Sequence, residues 1–240
     1  MAGSQYIALS GMRARLDQLD RLASDIANVA TAGYKSERSA DAQADRPQFN
    51  SVLQSAIDVT TGDRRLDVSP GMMASTGRDL DFALGGNGYF VVDTPAGQRY
   101  TRNGHFSRGS DGSLVTDDGS TVVGANGPIK LGTGDVDVDP DGTIRAGGAV
   151  AGKLKVVTFE NPAGLAAESG ARLRAGSAVP VDVTSPNVTA GSLEQSNVSL
   201  VDRVAELTGV TRSFEALQKA MSLMMNDVDG RAIDQLGRLR

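Results

Sequence analysis

The chain has one histidine, His105, and it lies two residues before the hydroxyl of Ser107. In a strand, residues i and i+2 point to the same face, so these side chains could form a weak base and nucleophile pair. The sequence has no cysteine, which excludes thiolate nucleophiles, disulfides and cysteine metal sites. No accompanying carboxylate or oxyanion donor can be nominated from the sequence. We therefore predict no catalytic site and keep a hydrolase using His105 and Ser107 as an alternative.

Alternating aspartates run from Asp135 to Asp141 and end in Gly142. Counted from Asp137, they match the first three carboxylate positions and the glycine of a calcium-binding loop. The twelfth position, where such loops carry a bidentate glutamate, is Gly148, and a proline lies inside the segment. The pattern therefore favours a hairpin whose aspartates face water over a metal site.

Two further motifs could carry chemistry. The glycine-rich segment from Gly85 to Gly88 is followed by an apolar strand, whereas phosphate binding needs the N-terminus of a helix. We predict a tight turn there. Asp79 and Asp81 could act as paired carboxylates, but nothing indicates the apolar pocket that raises the pKa of a catalytic acid, so we predict a solvated strand face. We expect no catalytic residue, metal or cofactor in this chain.

The composition narrows the classes of partner. The 240 residues include 24 basic and 29 acidic side chains, a net charge of −5, without a dense Lys/Arg cluster, so nucleic acid is not expected. We find no run of 18 apolar residues and no pattern of a cleaved secretion signal, so we expect no membrane insertion. Aromatic residues make up 4 % of the chain, which disfavours a pocket for a small-molecule substrate.

Both ends of the chain show apolar residues at alternating steps of three and four, the pattern of helices that pack lengthwise. We call these residues the predicted seam: Leu9, Met12, Leu16, Leu19, Ile26, Val201, Val204, Leu207, Val210, Phe214, Leu217, Met221, Met224 and Val228. The two ends are expected to pair with each other and with neighbouring copies. Because an isolated helix is marginal in water, we expect these helices to form fully only when partners bury the seam.

The middle of the chain follows the period of strands. Asn-Gly and Asp-Gly pairs recur between Asn103 and Gly142, at the spacing of a compact all-β unit. The predicted fold class is α+β, with an all-β domain inserted between N- and C-terminal helices that pair as a coiled coil on assembly. The predicted domains are a helical assembly region (residues 1–33 with 193–240), extended connectors (34–78 and 161–192) and a β-rich domain (79–160).

Four segments of the sequence form a set of motifs. The first runs from Ser24 to Lys35, the second and third run from Thr76 to Val92 and from Tyr100 to Ser107, and the fourth runs from Leu193 to Ser199. In this order they resemble the flagellar basal-body rod and hook protein family of bacteria. The first segment matches the family motif at Asn28, Thr31, Gly33 and Lys35 and departs from it at Asp25, Ala30 and Tyr34, and the fourth contains the motif residues Ser196, Asn197 and Val198.

The resemblance implies a structural subunit rather than an enzyme. Family members pass unfolded through the flagellar type III export apparatus and assemble, with copies of themselves and other rod subunits, into the drive shaft that crosses the periplasm between ring and hook. Within the family, the length and the two ends are most similar to subunits of the proximal rod, and a distal-rod or hook subunit is the alternative. From other classes, a secreted hydrolase or a glycan-binding surface protein remain open.

Overall fold

The computed structural model describes residues 2–39 and 64–237, and the side chains of residues 9–38 and 65–222. Helix α1 spans Ala2–Ala27 and helix α2 spans Leu200–Gly237. The chain divides into a helical unit, which contains α1 up to Ile26 together with α2, and a β-rich unit formed by Ala27–Arg38 and Arg64–Ser199. Neither helix is both long and apolar enough over its described residues to cross a membrane.

In the helical unit, α1 and α2 lie against each other in antiparallel directions. Near one end, the Asp25 carboxylate pairs with the Arg203 guanidinium at 3.0 Å. Near the other end, a methyl group placed on Gly11 would lie 3.9 Å from Leu217 Cδ1. Residue numbers therefore increase along α1 in the direction in which they decrease along α2. The two ends therefore contact each other within a single chain, and their pairing as a coiled coil on assembly stays a prediction.

The strands are short, and the 3₁₀ turn Pro162–Gly164 lies between β14 and β15. In chain order they are β1 Glu37–Ser39, β2 Arg64–Leu66, β3 Met73–Ser75, β4 Phe82–Gly85, β5 Tyr89–Thr94, β6 Gly97–Thr101, β7 Phe106–Arg108, β8 Leu114–Thr116, β9 Thr121–Gly124, β10 Gly127–Pro128, β11 Val136–Val138, β12 Thr143–Ala146, β13 Ala149–Lys153, β14 Val156–Phe159, β15 Ala166–Ala167, β16 Arg172–Arg174, β17 Pro180–Asp182, β18 Asn187–Ala190 and β19 Ser192–Glu194.

The largest sheet of the described residues has ten strands, with β5 near its centre. The order is β15-β16-β6-β5-β9-β8-β7, with β10 joined to β9, and with β14 joined to both β5 and β17. Smaller sheets pair β11-β12-β13, β18-β4, β19-β3 and β1-β2. Adjacent strands joined by short turns dominate, as the recurring Asn-Gly and Asp-Gly pairs predict.

Strand β5 is buried on both faces and separates two cores. Phe90 packs with Phe82 and Phe106 in one core, where the rings of Phe90 and Phe106 meet edge to face at 5.2 Å. The other core contains Val91 with Tyr100 and Phe159. Because side chains alternate along a strand, the run Tyr89–Val92 supplies both cores at once. This explains why the run is continuously apolar.

Strands also lie in the two segments that the sequence predicts as extended connectors. The predicted connector 161–192 contributes β15 to β18 and the start of β19, and the described part of connector 34–78 contributes β1, β2 and β3. These segments are polar and lack clear alternation. β16, β17 and β18 pair with β6, β14 and β4, whereas β1 and β2 pair with each other, so their hydrogen-bond partners come from strands that are distant in the chain. Within the predicted C-terminal region, 193–240, the helix begins at Leu200, and Glu194 lies in β19 and is 1 % exposed.

Candidate functional site

The motif residues Gly33 and Lys35 lie in a short segment of the β-rich unit, residues 33–36, which we call the N-terminal arm. Gly33 has a φ of +67°, and a Cβ there would lie 2.3 Å from the backbone carbon of Arg102. Its amide donates to the Glu194 carbonyl at 2.7 Å. Only glycine fits both the left-handed backbone and this close approach. Gly33 thus lets the N-terminal arm lie directly against the backbone of Arg102, the residue that follows β6.

Two residues further on, Lys35 is buried beside Glu194. The Lys35 ammonium donates to Glu194 Oε1 at 2.6 Å, and the two side chains are each 1 % exposed. The ammonium also donates to the carbonyl of Ser69 at 2.7 Å, and the Gly71 amide donates to the same carboxylate oxygen at 2.9 Å. Burial lowers the pKa of Lys35 below its ordinary value of 10.5, although Glu194 opposes this effect.

Arg102 completes a buried charge cluster, defined here as Lys35, Arg102 and Glu194. Its Nε lies 3.4 Å from Glu194 Oε2, and its Nη1 donates to the Leu84 carbonyl at 3.2 Å. The other terminal nitrogen donates to the Gly86 carbonyl, and the guanidinium lies 5.4 Å from the ring centre of Tyr89. Burial raises the pKa of that tyrosine.

Asn197 binds the N-terminal arm from the other side and belongs to residues 194–197, which we call the C-terminal arm. Its Oδ1 accepts the Ser36 amide at 2.8 Å, and its Nδ2 donates to the Asp67 carbonyl at 2.8 Å. The backbone amide of Asn197 donates to the Tyr34 carbonyl at 3.3 Å. One residue therefore ties together three chain segments, which its side chain can do because it both donates and accepts.

The remaining motif residues make local bonds. The Thr31 hydroxyl donates to Asn28 Oδ1 at 3.2 Å, and the Val198 amide donates to the Ser196 hydroxyl at 3.2 Å; Val198 itself is buried. Every motif residue thus lies in or beside one of the two arms of the β-rich unit. Sequence reasoning missed Arg102 and Glu194 as partners of this motif. The sequence feature that could have indicated Glu194 is Lys35, since a lysine that becomes buried requires an acidic partner.

The predicted seam residues differ in exposure. In α1, Met12 is buried, Leu19 and Ile26 are half-buried, and Leu9 and Leu16 are 58 % and 47 % exposed. In α2, Val210 is buried, Leu207, Phe214, Leu217 and Met221 are half-buried, and Val201 and Val204 are 78 % and 45 % exposed. Met224 and Val228 lie outside the residues whose side chains the structure describes.

Sequence reasoning missed three residues of the helical unit. Leu22 is buried, Asp25 is 1 % exposed, and Arg203, which pairs with Asp25, is half-buried. Steps of three and four residues that start from Met12 also reach Leu19 and Leu22. A second apolar stripe drawn through these positions would therefore have included Leu22. The ion pair carries no such signal, because charged residues are normally assigned to the solvent face.

The candidate catalytic pair is not assembled. His105 Nδ1 lies 2.8 Å from Asp81 Oδ1, and Arg78 Nη1 lies 2.7 Å from the other ring nitrogen. Ser107 instead pairs with Val115 across β7 and β8, and among the described side chains no hydrogen bond joins its hydroxyl to His105. The prediction of a solvated face at Asp79 and Asp81 is wrong for Asp81, which is 1 % exposed, because the histidine and Arg78 cover it.

The aspartate-rich segment forms the predicted hairpin between β11 and β12. Asp141 accepts the Thr143 amide at 3.1 Å and binds Lys153 at 3.2 Å, and Asp139 pairs with Arg145 at 3.1 Å. Among the side chains of residues 9–38 and 65–222, no group of three or more histidine or acidic residues is arranged to hold a metal ion. The glycine-rich segment forms the predicted tight turn between β4 and β5, and its Gly86 carbonyl faces Arg102.

Comparisons with known proteins cover the chain almost from end to end. A family model described as the flagellar hook protein FlgE/F/G D1 domain matches residues 83–146, and one described as the flagellar basal body rod FlgEFG protein C-terminal matches residues 189–233. The flagellar basal-body rod protein FlgF of Rhizobium meliloti is 33 % identical over 98 % of both chains. The chain belongs to the flagellar basal-body rod protein family.

Other rod proteins extend the comparison. The FlgF protein of Caulobacter vibrioides is 31 % identical over the whole of both chains. The FlgG protein of Bacillus subtilis is 32 % identical over 92 % of this chain and 95 % of its own. Arg102 lies in the matched D1 segment and Glu194 in the matched C-terminal segment. The charge cluster therefore joins the two regions by which the rod family is defined in this chain.

Proposed function

We propose that this chain is a structural subunit of the bacterial flagellar basal-body rod. The observation that carries the proposal is similarity to rod proteins over almost the full length of both chains. The described residues support a scaffold role, because the motif residues bind backbone and other side chains rather than leaving reactive groups exposed. The subunit acts by contact with its neighbours in the flagellar basal body.

The exposed part of the predicted seam supplies candidate contact surfaces. Leu9 and Leu16 lie one heptad apart on α1, and Val201 and Val204 lie one turn apart on α2, all at least 45 % exposed. A fully buried Leu or Val side chain is worth roughly 1.5–3 kcal/mol relative to an exposed one. Neighbouring rod subunits or further copies of this chain would cover these residues, and the paired helices would then assemble as coiled coils.

Within the rod, we propose a proximal position, because the sequence resembles the proximal-rod F subunit and three FlgF proteins match over at least 98 % of the chain. The alternative is a distal position, because the G subunit belongs to the distal rod and FlgG of Bacillus subtilis also matches. We also propose that the chain reaches its place through the flagellar export apparatus and functions across the periplasm. Neither part of this proposal requires an enzymatic activity, a cofactor or a nucleic acid.

A complementation experiment tests the function. The gene for this chain is deleted in its own bacterium, and the swimming of the mutant is compared with that of the mutant carrying the gene on a plasmid. We expect loss of swimming and its recovery, with the protein present in purified basal bodies. Basal bodies that lack the protein in swimming cells contradict the rod assignment. Recovery of the protein from basal bodies arrested before distal-rod assembly distinguishes the proximal from the distal position.

A further inference from the structure

The charge cluster joins segments that are far apart in the chain. Lys35 and Glu194 are separated by 159 positions, yet their charged atoms lie 2.6 Å apart at 1 % exposure. Gly33 and Ser36 of the N-terminal arm donate their amides to Glu194 and Asn197 of the C-terminal arm, at 2.7 and 2.8 Å. All these residues lie in the β-rich unit. The two arms are therefore joined by charge and by backbone hydrogen bonds at the same place.

Neither arm can be buried favourably without the other. Glu194 is the acidic group that offsets both Lys35 and Arg102, and a buried charge without a partner is strongly unfavourable. Without the C-terminal arm, two cations would occupy a water-excluded site. Without the N-terminal arm, Glu194 would keep only Arg102 at 3.4 Å and the Gly71 amide.

The cluster is also less completely bonded than the sheet. Arg102 Nε and Glu194 Oε2 are buried, and neither atom has a hydrogen-bond partner in the described residues. By contrast, β5 is paired with β6, β9 and β14 and lies between two apolar cores. An incompletely satisfied polar network opens more readily than a paired, apolar sheet.

We propose that Lys35, Arg102 and Glu194 form a latch that makes the closing of the β-rich unit depend on both arms, and that this latch closes after the central sheet and opens before it. A chain delivered from one end would form the apolar cores around β5 first. Its arms would be fixed only when Glu194 arrives beside Lys35. The latch is thus a device for the order of folding, and it does not depend on the rod assignment.

A double-mutant cycle on the full-length chain tests the coupling between the two arms. Glu194→Leu leaves two cations unpaired and should raise the unfolding equilibrium constant about a hundredfold or more. Lys35→Met leaves Arg102 facing the carboxylate and should have a smaller effect. The double variant should be at least tenfold less destabilised than the product of the two single effects. The matched control is Lys155→Met, since Lys155 pairs with Asp182 at 3.4 Å and the two side chains are 32 % and 73 % exposed, and it should change the constant less than threefold.

Native-state hydrogen exchange on the full-length chain tests the order of opening. In the wild type, the amides of Gly33, Ser36 and Gly71 should exchange through an opening at least tenfold more frequent than that of the amides of β5. Glu194→Gln, which keeps the side-chain shape, should speed exchange at those three amides more than tenfold and leave β5 within about threefold. Independent effects in the double-mutant cycle, or the same opening frequency for the latch and β5, overturn the proposal.

Discussion

At the scale of single residues, the rod motif is a set of packing requirements. Gly33 is required by a backbone contact, Lys35 by a buried carboxylate, and Asn197 by three polar groups on different segments. None of these residues presents a reactive group to solvent. The family motif is therefore explained by the close packing of the two arms within the β-rich unit.

Replacing Gly33 by alanine should destabilise the β-rich unit by more than about 2 kcal/mol, because both the left-handed φ and the backbone contact are unfavourable for a side chain. The matched control is Gly77→Ala. Gly77 has nearly the same φ, +70°, and a Cβ added there would meet no other atom within 4 Å, so only the conformational cost of about 1 kcal/mol remains. Urea unfolding of both variants measures the difference. Equal losses would show that the contact with Arg102 has no energetic role.

The buried amine of Lys35 should give stability a distinct pH dependence. Its folded pKa lies below the unfolded value, so between these two pKa values the unfolded state binds more protons and the free energy of unfolding rises with pH. We expect the wild type to gain stability relative to Lys35→Met as pH is raised from 7 towards 10.5. The buried tyrosine Tyr89 has a raised pKa and acts in the opposite direction, but it is present in both proteins. A constant difference between the two urea titrations over this range excludes the effect.

At the scale of elements, α1 and α2 combine an inner and an outer apolar surface. Met12, Leu22 and Val210 are buried in the single chain, whereas Leu9, Leu16 and Val204 are not. An ordinary amphipathic helix has one apolar face, and the second set is unexplained by the fold of one chain. This division separates residues that hold the helix pair together from residues available to neighbours.

Leu217→Asp should abolish swimming while leaving the melting of the β-rich unit unchanged. Leu217 is half-buried and faces Gly11 of α1, so a carboxylate there would be desolvated without a partner. The control is Gln218→Asp, which places the same charge on the exposed neighbouring position. Soft-agar motility and thermal melting of the purified chains give the comparison. Normal swimming of the Leu217 variant refutes its place in the seam.

The double substitution Leu16→Ser and Val204→Ser tests whether neighbouring subunits contact the outer apolar surface of the helices. Because the two residues are 47 % and 45 % exposed, we expect each change to alter the free energy of unfolding by no more than about 0.5 kcal/mol. Incorporation into basal bodies, measured by quantitative mass spectrometry, should nevertheless fall several-fold. Unchanged incorporation would mean that neighbouring subunits do not cover these side chains.

At the scale of the whole molecule, the chain consists of a β-rich unit with its own apolar cores and a helical unit with limited burial. Helices with so much exposed apolar surface gain stability from assembly. We therefore expect the helical circular dichroism of the free subunit to be lower than that of assembled rods. Removal of residues 1–26 and 200–240 from the free subunit should therefore cost less helical signal than the two helices contribute in assembled rods. A loss as large as that contribution would show that the helices are already fully formed before assembly.

The periodicity of the sequence was sufficient for the two helices, the tight turns and the β-rich middle, because these depend on local spacing and on residues that favour one backbone conformation. The resemblance to a family was also carried by local strings. Three features needed the folded chain: the strands of the polar connectors, the buried position of Asp81, and the meeting of Lys35, Arg102 and Glu194. Each depends on partners distant in sequence, and no local pattern specifies which distant charge or strand edge will arrive beside a given residue.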